Sequence, residues 1–148
     1  ITIIEGADGT GKTTYANKLV ELYNAKYLHA EQPSNKIWSD EYIRPIKHHN
    51  MVLDRWHLGE IVWPTIYGRE SLFNENTFDY CNWELAKLGA NLILLVRDED
   101  AIADELLSRG EDKEIEQVLH SRSLFVKAFS LLLHASKKKF VNSLLNFL

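Results

Sequence analysis

The residues best suited to chemistry lie between Gly6 and Thr13, where the sequence reads G-A-D-G-T-G-K-T. This is the G-x-x-x-x-G-K-[ST] spacing of a phosphate-binding loop, whose glycines let successive backbone N–H groups turn toward one anion. Lys12 would neutralise the β- and γ-phosphates of a nucleotide, and the hydroxyl of Thr13 would hold Mg²⁺. The residues predicted to bind ATP are Gly6, Asp8, Gly9, Thr10, Gly11, Lys12, Thr13 and Thr14.

The sequence on either side of this loop has the pattern that a phosphate-binding loop requires. The β-branched run 1–4 precedes the loop and predicts a buried strand. Apolar residues follow it at helical spacing between 15 and 23, so the positive N-terminal end of that helix would point at the same anion. A glycine-rich turn without a ligand is the alternative interpretation. The flanking elements favour the binding of a nucleoside triphosphate.

Length and composition are typical of one globular domain, which we expect to cover residues 1–148. Hydrophobic residues make up 45% and charged residues 26% of the chain, and no long apolar run indicates a membrane span. The N-terminus lacks the pattern of a signal peptide, and the single cysteine, Cys81, fits a reducing compartment, so we expect a cytoplasmic protein. The net charge of −4 argues against an extended nucleic-acid interface. Because the first residue is Ile1, we expect that an initiator segment is missing.

Strands and helices are predicted to alternate along the chain. The predicted strands are 1–4, 25–30, 51–53, 92–96 and 139–142, and the later helices are 75–88, one that ends at Arg109, and 114–135. Residues 36–49 should be short helical or irregular structure, and 56–73 a helix start, broken at Gly59, Pro64 and Gly68, with a loop over the ligand crevice. A truncated helix should follow the fifth strand. This alternation predicts an α/β, three-layer fold with a parallel, about five-stranded sheet flanked by helices.

Three segments carry a resemblance to a known family. They are 4–14, which contains the loop as E-G-A-D-G-T-G-K-T-T; 52–55, which ends in Asp54-Arg55; and 94–111, which ends in R-G-E. With these segments in this order, the chain resembles the nucleoside monophosphate kinases of the thymidylate kinase group. The resemblance implies a short form of the P-loop kinase fold. Two features differ from the family: residues 31–34 read E-Q-P-S, without the family's arginine and glycine, and the lid is very short.

The resemblance implies a role for each matched position. Lys12, Thr13 and the loop amides would hold ATP and Mg²⁺, and Asp54 would orient the water shell of the metal. Thr13 and Asp54 are therefore the expected metal residues. Arg55 would bind the phosphate of the acceptor, and Arg109 would lie at the lid entrance, against adenine or the transferred phosphoryl group. The expected catalytic residues are Lys12, Asp54, Arg55 and Arg109.

The resemblance also implies a lid around 109–114 and an acceptor-binding region around 31–73. Among several aromatic residues, Trp56 and Tyr67 are preferred for stacking on a nucleobase. Arg69 is an open candidate for contact with the phosphate of the acceptor. The expected acceptor-binding residues are Gln32, Arg55, Trp56, Tyr67 and Arg69.

One arginine and four histidines have positions that must be weighed against a role in binding. Arg122 interrupts an apolar helix face, so it either snorkels to solvent or reaches toward the phosphates. The histidines at 29, 48, 49 and 57 have no metal-ligand spacing supported by cysteine or carboxylate, which argues against a zinc site.

Other activities compete with a monophosphate kinase. A deoxynucleoside kinase must take a proton from a neutral hydroxyl, and such enzymes resemble one another in a glutamate just before a proline after the second strand. Gln32 stands at that place here and an amide cannot act as a base, although Glu31 or Asp54 could replace it. A regulatory GTPase should carry an N-K-x-D motif, but 17–20 and 35–38 both lack its aspartate. A P-loop kinase for another small molecule, or for modified bases in DNA, stays open.

We therefore predict ATP-dependent transfer of the γ-phosphoryl group to a (deoxy)nucleoside monophosphate, with thymidylate preferred and Mg²⁺ required. A monophosphate carries its own anionic oxygen, so it needs arginine rather than a base. We expect small nucleotides as partners and neither a membrane nor nucleic acid. A homodimer stays open.

Overall fold

The computed structural model describes residues 1–31, 37–47, 50–135 and 143–146. Its centre is one sheet of five parallel strands in the order β2-β3-β1-β4-β5. The strands are β1 (Thr2–Glu5), β2 (Lys26–His29), β3 (Met51–Asp54), β4 (Asn91–Val96) and β5 (Ser143–Asn146). The predicted α/β fold with a parallel sheet flanked by helices is confirmed.

Six α-helices connect these strands in the described part of the chain. They are α1 (Lys12–Tyr23), α2 (Trp38–Tyr42), α3 (Gly59–Tyr67), α4 (Glu75–Lys87), α5 (Glu99–Ser108) and α6 (Ile115–Ala135). Single 3-10 turns lie at Pro45–Lys47 and Asp112–Glu114. Over the residues that the structure describes, no helix is both long and apolar enough to cross a membrane.

Both faces of the sheet are covered, because neighbouring side chains of a strand point to opposite sides. Ile3 of β1 packs in a large cluster with residues of α3, α4 and α6, such as Phe125, whereas Ile4 packs against Ala16 of α1. Both isoleucines are fully buried. A strand buried on both sides is expected to be continuously apolar, as β4 is from Leu92 to Val96.

Pro64 corrects one expectation, since it lies inside α3 and does not break the helix. A proline has no N–H to donate to the carbonyl oxygen of the residue four positions earlier, which here is Glu60. The hydroxyl of Ser71 donates to that oxygen at 2.8 Å. The carbonyl group of Glu60 is therefore satisfied from the following loop, and the helix continues to Tyr67.

The C-terminal part of the chain differs from the prediction as well. The segment 139–142, predicted as the fifth strand, lies outside the described residues. The fifth strand is Ser143–Asn146, where a truncated helix was predicted, and it pairs with β4. The error has a physical cause, because periodicity cannot distinguish a short buried strand from a helix in an apolar run of this length.

Candidate functional site

The loop between β1 and α1 has the backbone shape that its glycines predict. Gly6 has a φ of +143°, and a Cβ atom there would lie 2.5 Å from the carbonyl oxygen of Leu95. Gly11 has a φ of +85° directly before α1. The hydroxyl of Thr10 closes the loop by donating to the carbonyl oxygen of Ala7 at 2.8 Å. Any side chain at Gly6 would collide with the strand beside it.

Lys12 lies against this loop with only 6% of its surface exposed. Its Nζ donates to the carbonyl oxygen of Ala7 at 2.6 Å and lies 3.4 Å from Oδ1 of Asp8. Burial lowers the pKa of Lys12, and the nearby charge of Asp8 opposes that effect. The loop therefore holds one buried cation at the N-terminal end of α1, where anions bind well.

Asp54, at the end of β3, faces the loop across the sheet edge because β1 and β3 are paired and parallel. One oxygen, Oδ2, accepts a hydrogen bond from Thr13 Oγ1 at 2.8 Å and one from the hydroxyl of Tyr27 at 2.9 Å. Nδ1 of His29 lies 3.2 Å from the same oxygen. Burial and the hydrogen bond to Asp54 raise the pKa of Tyr27 to about 12, so its hydroxyl remains a donor at neutral pH.

These groups suit a magnesium ion. Oδ1 of Asp54 is buried without a hydrogen-bond partner among the described residues, and the Thr13 hydroxyl stands next to the same carboxylate. Mg²⁺ prefers hard oxygen ligands and usually keeps several waters and phosphate oxygens. In the described ranges no group of three His, Cys, Asp or Glu side chains forms a metal site. A metal held here would therefore take its other ligands from the nucleotide and from water.

Tyr27 and His29 are contacts of Asp54 that the sequence interpretation missed. The register of the sheet pairs His29 with Asp54, and both strands end at the same edge. A signal was present, since side chains at the C-terminal ends of neighbouring parallel strands meet at the ligand crevice. Using that signal required knowing that β2 lies beside β3.

Arg55 follows β3 in the left-handed region, with a φ of +64°. Its backbone N–H donates to the carbonyl oxygen of Ile4 at 2.9 Å. The guanidinium hydrogen-bonds to Asp8 and lies 5.7 Å from the ring centre of Trp63. Burial would raise the pKa of Asp8, but the charges of Lys12 and Arg55 outweigh it and hold that pKa below its ordinary value.

Two clefts meet at Asp8 and Arg55. The first, here named the loop cleft, has a cavity volume of about 280 Å³ and is bordered by the phosphate-binding loop, His29 and Arg109. The second, named the aromatic cleft, has a cavity volume of about 100 Å³ and contains four aromatic side chains. Asp8 and Arg55 line both clefts. A group bound in one cleft can therefore approach a group bound in the other.

The aromatic cleft contains both of the predicted stacking residues. Trp56 is buried, with 3% exposed, and its ring packs edge-on against Tyr42 at 5.4 Å. Tyr67 is 60% exposed and stacks on Trp63 with ring centres 5.8 Å apart. Gln32, the fifth predicted acceptor residue, lies outside the described part of the chain.

Arg69 also lines the aromatic cleft, but its guanidinium is held by Glu60. Its two terminal nitrogens donate to the two Glu60 oxygens at 2.7 and 2.8 Å. The Tyr42 hydroxyl at 3.2 Å and the Leu72 N–H at 2.9 Å complete the bonds to this buried carboxylate. The bidentate pair joins α3 to the segment after it and forms part of the wall of the cleft.

Replacing Arg69 with alanine should destabilise the protein by about 3 kcal/mol, because it leaves the carboxylate of Glu60 buried without its cation. Urea unfolding measures this loss. Arg44 provides the control, since its ion pair with Asp40 is exposed, at 76% for the arginine. Arg44→Ala should cost less than about 0.5 kcal/mol. Equal losses in the two variants would contradict this interpretation of the pair.

Three further arginines lie around the loop cleft and its neighbouring turn. Arg109 borders the cleft, and its Nε and Nη2 donate to Glu105 at 2.9 and 2.6 Å. Arg97, which the sequence interpretation missed, donates to the carbonyl oxygen of Gly9 at 2.9 Å. Nε of Arg122 donates to the carbonyl oxygen of Arg97 at 2.8 Å. Arg122 therefore stabilises the turn after β4 that carries Arg97 to the loop.

Glu5 is a buried acid beside the loop that the sequence interpretation did not select. Burial raises its pKa from an ordinary value of 4.5 to about 7, although backbone N–H groups and Lys12 oppose the shift. One oxygen, Oε2, has no hydrogen-bond partner within the described ranges. The folded protein therefore keeps a proton on Glu5 at pH values where the unfolded chain has lost it.

The free energy of unfolding should consequently fall as the pH rises from 4.5 to about 7, and the group adds no further change above that range. The contribution is on the order of 3 kcal/mol at most. Urea unfolding across this range, for the wild type and for Glu5→Gln, measures it. Glutamine keeps an accepting oxygen but cannot titrate. Parallel pH profiles of the two proteins would show that Glu5 does not titrate in this range.

Comparison with solved structures identifies the fold. YorR from Bacillus subtilis, in complex with phosphorylated GDP, matches with a TM-score of 0.78 at 19% identity, over 97% of this chain and 84% of YorR. Deoxyadenosine kinase from M. mycoides with bound dCTP matches with a TM-score of 0.60 at 15% identity, over 99% of this chain and 90% of that chain. The same kinase with bound dATP matches with a TM-score of 0.60 at 13% identity, over 96% and 89%. This chain has a P-loop kinase fold.

These similarities establish the fold alone. At identities below 20%, the substrate of a similar protein cannot be assigned to this chain. No protein-family model and no curated protein sequence matches the chain. The solved structures confirm the implied P-loop kinase fold, whereas the activity must be argued from the two clefts.

Proposed function

We propose that the protein transfers the γ-phosphoryl group of ATP to a (deoxy)nucleoside monophosphate, with thymidylate as the preferred acceptor. The observation that carries this proposal is the position of the Arg55 guanidinium, between the loop cleft and the aromatic cleft. ATP would occupy the loop cleft, and the acceptor would place its base among the aromatic rings and its phosphate at Arg55. A fixed cation at this point suits an acceptor that is already anionic.

The transfer itself needs little covalent chemistry from the protein. An oxygen of the acceptor's phosphate attacks the γ-phosphorus, and the bond to the bridging oxygen of ADP breaks, with the electron pair leaving on ADP. Lys12 and the loop N–H groups would bind the charge on the donor, and Arg55 would bring the acceptor into line with it. Arg109, part of the proposed lid at 109–114, would add positive charge after releasing Glu105.

Asp54 and Thr13 would hold the magnesium ion, which neutralises charge on the β- and γ-phosphates when bound. Tyr27 and Thr13 fix one oxygen of Asp54 and leave Oδ1 without a partner in the part of the chain that the structure describes. This side of the carboxylate could accept a metal-bound water. The arrangement supports the metal role that the resemblance implies for both residues.

A deoxynucleoside kinase is the second candidate, and one observation favours it. Glu31 lines the aromatic cleft, so a carboxylate is available there to remove a proton from a sugar hydroxyl. For a monophosphate acceptor no base is needed, and the same carboxylate would repel the substrate. The effect of Glu31→Gln therefore separates the two functions: it should abolish nucleoside phosphorylation but leave monophosphate phosphorylation intact or improved.

ADP release, measured over a panel of deoxy- and ribonucleoside monophosphates and of nucleosides, tests the proposal. We expect turnover with monophosphates, highest with thymidylate, and none with nucleosides. Turnover with nucleosides alone would favour the deoxynucleoside kinase. Including other small hydroxyl compounds and DNA with modified bases would test the remaining small-molecule and nucleic-acid alternatives in the same assay. Sedimentation of the active protein would determine whether a homodimer forms.

A further inference from the structure

The carboxylate of Glu5 is tied to the segment that follows Arg55. Its Oε1 accepts hydrogen bonds from the backbone N–H of Trp56 at 2.9 Å and of Leu58 at 3.0 Å. The side chain is fully buried. Burying a carboxylate is unfavourable unless it is hydrogen-bonded, so its presence at this position calls for a reason beyond packing.

Arg55 supplies that reason, because its backbone is held in a conformation that arginine disfavours. A non-glycine residue in the left-handed region, here with a φ of +64°, costs roughly 1–2 kcal/mol. Such a conformation persists only where the surroundings enforce it. On one side, the Arg55 N–H is bound to the carbonyl oxygen of Ile4 at 2.9 Å. On the other side, the two bonds to Glu5 hold residues 56–58.

We propose that Glu5 is a positioning residue, whose carboxylate anchors residues 56–58 and thereby holds the Arg55 guanidinium between the loop cleft and the aromatic cleft. The consequence for catalysis rests on the proposed function, since it assigns the acceptor's phosphate to Arg55. The anchoring does not depend on that function. Without Oε1, the N–H groups of Trp56 and Leu58 would lose their acceptor, and the turn would relax away from the left-handed region.

The position of the anchor explains why its effect should be selective. Glu5 is the residue directly before the loop, yet both of its bonds go to the acceptor side of the site. Lys12 and the loop backbone are held by separate bonds to Ala7. Loss of the anchor should therefore weaken the acceptor more than ATP.

A double-mutant cycle tests this inference on the intact protein. The variants are Glu5→Ala, Arg55→Ala, the combination of the two, and Glu5→Gln. We expect Glu5→Ala to lower kcat/KM for the acceptor by about 10- to 30-fold, less than the loss of the Arg55 side chain itself because the guanidinium is misplaced rather than removed, and to change the affinity for ATP less than threefold. In the Arg55→Ala background, the same change should cost less than about threefold, because the group that it positions is already absent.

Glu5→Gln should retain activity within about threefold of the wild type, since its amide oxygen accepts the same two hydrogen bonds. Leu85→Ala serves as a control for general destabilisation, because Leu85 is fully buried in α4 and lines neither cleft. It should lower stability without a selective effect on the acceptor. Fully additive losses for Glu5 and Arg55, or an equal loss of ATP and acceptor affinity, would overturn the proposed role.

Hydrogen exchange of the wild-type protein tests the anchor without any activity and without a variant that must fold. The amides of Trp56 and Leu58 should exchange at least about 100 times more slowly than unprotected amides. Unprotected amides at both positions would overturn the anchor itself. If both amides were protected but the protein phosphorylated no monophosphate, the anchor would be supported and the proposed function would be wrong.

Discussion

Lys12→Ala is expected to lower kcat/KM by at least about 1,000-fold, the largest effect of any single change in the protein. Its ammonium is the one buried cation of the phosphate-binding loop in the described structure, with 6% of its surface exposed. Removing a preorganised hydrogen-bond donor from a catalytic site costs roughly 100- to 1,000-fold, and a full positive charge contributes more than a neutral donor. The measurement is ADP release at saturating and at low ATP.

Lys26→Ala is the matched control for this variant. Lys26 lies at the start of β2 with an exposed side chain, at the end of the strand opposite the clefts. Lys26→Ala removes the same charge and the same side chain as Lys12→Ala. Because the change lies far from both clefts, its activity should stay within about twofold of the wild type. Thermal unfolding of both proteins would show whether the fold is intact. Activity in Lys12→Ala equal to that of the control would exclude the loop cleft as the ATP site.

Much of the geometry of the candidate site could be predicted from the sequence, because it depends on local patterns. The loop requires glycines where the backbone turns, and Gly6 and Gly11 have the positive φ values that such a turn needs. Asp54 and Arg55 follow an apolar strand, and in a parallel sheet the ends of such strands meet at one edge. The structure brings both residues to the loop, through Thr13 and Asp8.

The residues that were missed depend on contacts between distant parts of the chain. Tyr27 and His29 reach Asp54 only because β2 lies next to β3, an order that strand patterns do not specify. In the sequence, Glu5 is only the residue before the loop. Its role depends on its hydrogen bonds to Trp56 and Leu58, which the sequence does not reveal. A single sequence indicates which residue types could do chemistry, whereas the register of the sheet determines which side chains meet.

The Glu60–Arg69 pair shows the same limit for a charged residue in a cleft. The sequence interpretation could only propose that Arg69 contacts a phosphate. Its partner lies nine residues earlier, on the buried face of α3, and the bidentate geometry depends on the turn after that helix. An arginine that lines a cleft can therefore belong to its wall, and its own contacts decide between the two roles.

Arg55→Ala is expected to raise KM for the monophosphate by about 30- to 100-fold and to leave the affinity for ATP within about threefold. Truncating one member of a close charged pair costs roughly 2 kcal/mol or more, which corresponds to this change in KM. Steady-state kinetics with each substrate varied in turn separates the two effects. Arg44→Ala, which removes an exposed arginine, should leave both constants unchanged. Equal defects toward both substrates would contradict the division between the clefts.

Arg55→Gly adds a test that involves stability as well as activity. Glycine adopts a φ of +64° without steric cost, whereas alanine there keeps the strain of the left-handed region. Arg55→Gly should therefore be more stable than Arg55→Ala by about 1 kcal/mol in urea unfolding, yet have the same defect toward the acceptor. This result would mean that the chain maintains an unfavourable backbone conformation in order to present a guanidinium between the clefts. If the glycine variant were less stable than the alanine variant by about 0.5–1 kcal/mol, the ordinary entropic cost of glycine, the backbone at this position would carry no strain.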